Sequence, residues 1–151
     1  IILTFPFLST PSPESLRLSL ILFDLDYFKV YNDYYGHLGG DECLIQVVQT
    51  AKSVLKRATD LISRYGGEEF AVILPETESS GAIQVAQQIQ KAIRQLEIPH
   101  AHQELPFVTV SLGIATYVPE KGESPQILID RADQALYQAK KQGRNTWVQF
   151  C

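Results

Sequence analysis

Asp24 and Glu68 are the acids in this chain best placed to hold a metal ion between them. Asp24 and Asp26 stand at the end of the apolar run Leu18 to Leu25, and Glu68 stands at the mouth of a Gly66-Gly67 turn. The two aspartates are expected to face opposite sides of a sheet, so that only one shares a site with a given neighbour, and Asp24 is the better candidate. If the glycine turn folds beside the first strand, the carboxylates of Asp24 and Glu68 converge at one sheet edge. Converging carboxylates repel unless a cation lies between them. Magnesium suits such a place because it takes oxygen ligands, keeps waters and accepts substrate phosphates in its remaining positions. The chemistry implied is phosphoryl or nucleotidyl transfer. Taken singly, an acid at a strand end is more often a solvated surface group, and a Gly-Gly turn is ordinary hairpin chemistry.

The elements that must position these residues follow from periodicity. Leu18 to Leu25 is too short for most helices and too continuously apolar for a surface strand, which predicts a buried central strand. A short helix through Tyr27 to Tyr35 follows, then a loop at Gly36 and Gly39-Gly40. Leu44, Val47, Val48, Ala51, Val54, Leu55 and Ala58 recur at the spacing of one helical face. Leu61 to Tyr65 and Glu69 to Leu74 are predicted strands of a hairpin closed by Gly66-Gly67. A second amphipathic helix carries Ala82, Val85, Ala86, Ile89, Ile93 and Leu96, with Thr77, Ser79 and Ser80 as capping candidates. Val108 to Ala115 alternates as a strand with one buried face. Ser124-Pro125 opens a last helix that ends at Gly143, and Trp147 to Phe150 closes as a short strand. This order predicts an α+β domain, residues 18–151, with a largely antiparallel sheet and helices packed on one side. Residues 1–17, with Pro6, Pro11 and Pro13, are expected to be an irregular or truncated lead.

The chain has 151 residues, 45% of them hydrophobic, and a formal net charge of −4. That size fits one domain able to bury its own core. The negative charge and the lack of any Lys/Arg run argue against nucleic-acid or membrane-surface binding but leave room for a small anion held by a few placed cations. Cys43 and Cys151 lie far apart, with no disulfide or zinc spacing. A soluble protein in a reducing cytoplasm is expected.

The chain resembles the GGDEF family of diguanylate cyclases through Phe23-Asp24-Leu25-Asp26-Tyr27-Phe28-Lys29, Asn32-Asp33, Gly36-His37, Gly40-Asp41 and Gly66-Gly67-Glu68-Glu69-Phe70. The stretch Asp133-Gln134-Ala135-Leu136-Tyr137-Gln138-Ala139-Lys140-Lys141-Gln142-Gly143-Arg144-Asn145 looks like that family's final helix and its exit. The resemblance covers about Leu18 to Phe150 and implies a palm-like, ferredoxin-like sheet of the nucleotide-cyclase type. It implies an enzyme that condenses two GTP molecules, held by two face-to-face subunits of a homodimer, into cyclic di-GMP. By the same resemblance, two Mg²⁺ per half-site, or Mn²⁺ in their place, are held by Asp24, the carbonyl of Leu25 and Glu68. Glu68, with Glu69 beside it in the motif, is the catalytic carboxylate expected to help deprotonate the ribose 3′-hydroxyl. Asn32 and Asp41 match guanine-binding positions, His37 another substrate contact, and Lys29, Lys140 and Arg144 the phosphate-neutralising positions. Arg57 and Asp60 resemble the family's Arg-x-x-Asp site, where cyclic di-GMP acts as product inhibitor. The usual opening helix of the family has no counterpart at Leu3-Thr4-Phe5-Pro6, and an upstream sensor or dimerisation domain is expected outside this chain. The runner-up reading is a degenerate module that senses GTP or cyclic di-GMP.

Overall fold

A computed structural model describes residues 17–102 and 104–151. The irregular lead and the departure at Leu3 to Pro6 lie outside the described residues, apart from Arg17. The elements are β1 (Leu18–Leu25), α1 (Phe28–Val54), β2 (Leu61–Gly66), β3 (Glu69–Pro75), α2 (Ser79–Gln95), β4 (Val110–Tyr117), α3 (Gln126–Lys141) and β5 (Trp147–Gln149). The strands form one sheet of order β2-β3-β1-β4-β5. Every neighbouring pair is antiparallel except β4 and β5, which run parallel. This is the α+β fold expected from the element order, with the palm-like sheet that the family resemblance implies.

The helices cover both faces of the sheet, not one. Ile21, Phe23 and Leu25 of β1 pack with α1 and α2 through Val47, Ala51, Ile89 and Ile93, whereas Leu20 and Leu22 pack with Leu128, Ala132 and Leu136 of α3. A strand that is apolar on both sides exposes two faces to be covered, and one layer of helices covers only one. For the same reason β4 is buried on both faces and not on the single face that its alternation suggested.

Four local expectations are also corrected. Gly39 and Gly40 are helical, and the chain breaks only at Gly36, whose φ of 83° and ψ of 164° interrupt α1. A Cβ at Gly40 would overlap the Asn32 side chain, so this glycine is there for close packing and not for a loop. The hairpin turns at Gly67-Glu68, because Gly66 still pairs with Glu69 after a register shift beyond Arg64. Finally, α1 ends at Val54, leaving Ala58 exposed in a turn, and none of Thr77, Ser79 or Ser80 caps α2. The Thr77 hydroxyl instead donates to the Pro75 carbonyl, and Ser80 donates to Glu78.

Gly113 sets the position of α3. It pairs with Leu22 on β1, and a Cβ there would overlap the Ala132 carbonyl and the Leu136 main chain, so the helix lies directly on the strand backbone. One turn beyond Leu136, on the same helix face, comes Lys140. Two residues beyond Leu22 on β1 comes Asp24, and the two side chains meet. Gly113→Ala is expected to push α3 off the sheet and destabilise the domain by about 1–3 kcal/mol. Urea unfolding measures it, and a variant as stable as the wild type would contradict this docking.

Candidate metal and nucleotide site

The exit of β1 gathers acids around one ammonium group. In the sheet register Asp24 is flanked by Glu69 on β3 and Ser111 on β4, and Glu68 occupies the adjoining turn. Lys140 reaches from α3 to within 2.5 Å of the Asp24 carboxylate, whose side chain is only 9% exposed. Burial raises the Asp24 pKa to about 6; the Lys140 hydrogen bond and charge oppose this, while Asp26 and Glu68 add to it. Burial likewise raises Glu69, with Lys140 opposing and Asp133 and Glu68 pushing further up. The carboxylates outnumber the cation they share.

Asp24 and Asp26 do not face opposite sides. Side chains two residues apart on an extended chain share a face, and Ser111, the cross-strand partner of Asp24, donates its hydroxyl to Asp26. What separates the two acids is their partners. Asp26 lies just past the strand and accepts from Thr109, Ser111 and the main-chain N–H of Asn145, leaving Lys140 to Asp24.

The donors at this edge are oxygen atoms: Asp24, Glu68 and the Leu25 carbonyl between the two aspartates. Such a set fits magnesium or manganese. The excess of acid, and a buried carboxylate that retains a proton up to about pH 6, are what a divalent cation would relieve. No group of three His, Cys, Asp or Glu side chains among the described residues forms a ready-made cage, so phosphate or water would complete the coordination.

The remaining residues spread along α1 and the exit of α3. Asn32 lies against Gly40, next in sequence to the exposed Asp41, and its buried Oδ1 has no hydrogen-bond partner among the described residues. His37, just after the break at Gly36, and Lys29 are exposed, and neither makes a side-chain hydrogen bond or ion pair with the acids. The Arg144 guanidinium lies 4.5 Å from the centre of the Tyr27 ring.

A family model for "Diguanylate cyclase, GGDEF domain" matches residues 8–146. The chain belongs to this GGDEF family. It is 41% identical over 128 residues to Diguanylate cyclase A of Treponema denticola, covering 85% of this chain and 34% of that protein. It also resembles the structure of an active GGEEF domain of a diguanylate cyclase from Vibrio cholerae, with 32% identity and a TM-score of 0.77 over 89% of this chain and 83% of that one. The GGDEF domain of DgcB from Caulobacter crescentus, solved with c-di-GMP, matches with 32% identity and a TM-score of 0.77 over 88% and 77%. The chain spans about a third of the length of the curated relatives it matches.

In this GGDEF domain the Arg-x-x-Asp pair lies away from the acids, after α1. Arg57 binds Asp60 at 2.6 Å and also donates to the Pro75 carbonyl and the Thr77 hydroxyl. The pair borders an open groove of about 500 Å³ with Lys56, Glu76, Thr77 and Gln84. Sequence reasoning set Asp26 aside and missed Tyr27, Thr109, Ser111 and Asn145. The available signal was the pair of hydroxyls, Thr109 and Ser111, in an otherwise apolar stretch.

The raised Asp24 pKa has a definite sign. An acid that binds its proton more tightly when folded makes the native state hold more protons than the unfolded chain between about pH 4 and pH 6, so its contribution to stability falls as pH rises through that window. The drop expected from Asp24 is about 3 kcal/mol. Glu69 acts in the same direction. Urea unfolding without divalent ions at pH 4 and pH 7 should show this fall, and Asp24→Asn should reduce it. Equal pH dependence in the two proteins would contradict the assignment.

Proposed function

We propose that this domain is a diguanylate cyclase that condenses two GTP molecules into cyclic di-GMP. The observation that carries the reading is the crowding of Asp24 and Glu69 around Lys140, with Glu68 in the adjoining turn, at the β1 exit of a GGDEF fold. In each of two equivalent steps a ribose 3′-oxygen bonds to the α-phosphorus of the partner nucleotide, the bond to the β-phosphate oxygen breaks, and pyrophosphate leaves. Two such domains, each holding one GTP, face each other as a homodimer. Bound Mg²⁺ would neutralise the triphosphate and polarise the α-phosphate, held by Asp24, the Leu25 carbonyl and Glu68. Glu68, with Glu69 beside it, accepts the proton of the attacking hydroxyl.

Asn32 and Asp41 read the guanine edge, since an amide and a carboxylate together complement its carbonyl and N–H groups. The orphaned Oδ1 of Asn32 supports this, because a buried acceptor without a partner costs about 1–3 kcal/mol unless a ligand donates to it. His37 adds a substrate contact on the same helix, and Lys29, Lys140 and Arg144 meet the phosphates. Arg57 and Asp60 bind cyclic di-GMP at the second groove and hold the half-sites apart. GTP places the reaction in the cytoplasm, and no helix among the described residues is long and apolar enough to cross a membrane. A sensor or dimerisation domain elsewhere in the protein would set its activity.

Incubation with GTP and magnesium, followed by chromatography, should yield cyclic di-GMP, and Glu68→Ala should lose at least about a hundredfold in rate. Arg57→Ala should stay active and escape product inhibition. Unchanged turnover in Glu68→Ala would refute the site assignment. An inactive wild type that binds cyclic di-GMP would mark the domain as a sensor instead.

A further inference from the structure

The chain leaving α3 is strained; the Arg144 N–H donates to the Ala139 carbonyl and the Leu112 N–H to the Thr146 carbonyl, and between them a buried acid holds Asn145. Arg144 and Asn145 both take left-handed backbone conformations, with φ of 64° and 49°. Non-glycine residues persist there only where their surroundings over-determine them, and such strain gathers at functional sites. The surroundings here converge on Asp26, which is 2% exposed. Its Oδ2 accepts from the Thr109 hydroxyl at 2.7 Å and from the main-chain N–H of Asn145 at 3.0 Å, and its Oδ1 accepts from the Ser111 hydroxyl at 2.6 Å. Its own N–H donates to the Thr109 carbonyl, fixing Asp26 to the chain leading into β4. Gln90 of α2 donates to the Asn145 carbonyl, so the peptide groups on both sides of Asn145 are tied down. The held segment carries the Arg144 guanidinium onto the ring of Tyr27, the residue after Asp26, and that ring also stacks on His102 at 3.9 Å.

We propose that Asp26 is a positioning residue for the triphosphate: by holding Asn145 it keeps Arg144 over Tyr27, at the strand exit that also carries Asp24 and Lys140. The inference rests on the GTP reading above and adds to it a residue that touches neither metal nor nucleotide. Both carboxylate oxygens are engaged by the protein's own donors, which distinguishes Asp26 from Asp24. The role is geometric, and the chemistry of the anchor makes it separable from charge. An asparagine at this position can keep its oxygen on Thr109 and Asn145 while its amide donates to Ser111, whose hydroxyl accepts equally well. A glutamate keeps the charge and moves the oxygens.

The test is a double-mutant cycle on binding of a non-hydrolysable GTP analogue with magnesium, by calorimetry. Asp26→Ala and Arg144→Ala should each weaken binding about tenfold, and the double variant no further than either alone. Asp26→Asn should recover most of the loss, whereas Asp26→Glu should not. Where Asp26→Ala does not fold, the Glu and Asn variants carry the comparison. Additive losses, or Asn as damaging as Glu, would overturn the proposal. Hydrogen exchange at the Asn145 amide needs no nucleotide: it should be slow in the wild type and Asp26→Asn, and fast in Asp26→Ala or Asp26→Glu. Exchange unchanged by every substitution would refute the anchor. A wild type that does not bind the analogue while the amide follows this pattern would overturn the GTP reading and Arg144's task, and leave the anchor standing.

Discussion

Burial of the Asp24 carboxylate is the constraint from which the rest of the site follows. The sheet holds this acid almost out of water, opposite Glu69 and near Glu68, with the Lys140 ammonium as its direct partner. Desolvating a carboxylate costs several kcal/mol unless a partner offsets it. One lysine offsets part of that cost, and burial still raises the Asp24 pKa to about 6. An arrangement that is unfavourable for the ligand-free fold makes sense where a second cation is to be received. Lys140 gives Asp24 the countercharge that a divalent ion would give in a nucleotide complex.

Packing delivers that constraint through two glycines. Gly113 lets α3 lie on the β4 backbone, which brings Lys140 over Asp24. Gly40 lets the Asn32 side chain nest inside the kinked α1, leaving a polar acceptor buried and free. In both places the absent side chain matters through the space it leaves, and only at Gly36 does a glycine's backbone freedom decide the path of α1. The charged end of the sheet and the apolar core are thus products of the same contacts.

Much of this was legible in the sequence, for identifiable reasons. The Leu18 to Leu25 run, the helical spacing from Ala82 to Leu96 and the two runs around Gly66-Gly67 are strong periodic signals, and they mark β1, α2 and the hairpin correctly. What failed depended on tertiary packing. Gly39-Gly40 carries the composition of a loop, and only the packed fold shows that Gly40 is required by the closeness of the Asn32 side chain. The second helical layer depends on which face of β1 each leucine meets. Asp26 was passed over because its partners, Thr109, Ser111 and Asn145, lie more than eighty residues away in sequence. Long-range hydrogen bonds leave no periodic trace, so a buried acid satisfied by distant donors reads locally like any polar residue at a strand end.

Whether the Asp24 carboxylate receives a divalent cation decides what this site does. Carbon-detected NMR of the labelled aspartate carboxyl groups follows its titration directly. Without divalent ions the midpoint should lie near 6. With magnesium and a non-hydrolysable GTP analogue it should fall well below that, because a bound cation favours the ionised form. A midpoint that stays near 6 with the analogue bound would contradict the metal site at its centre.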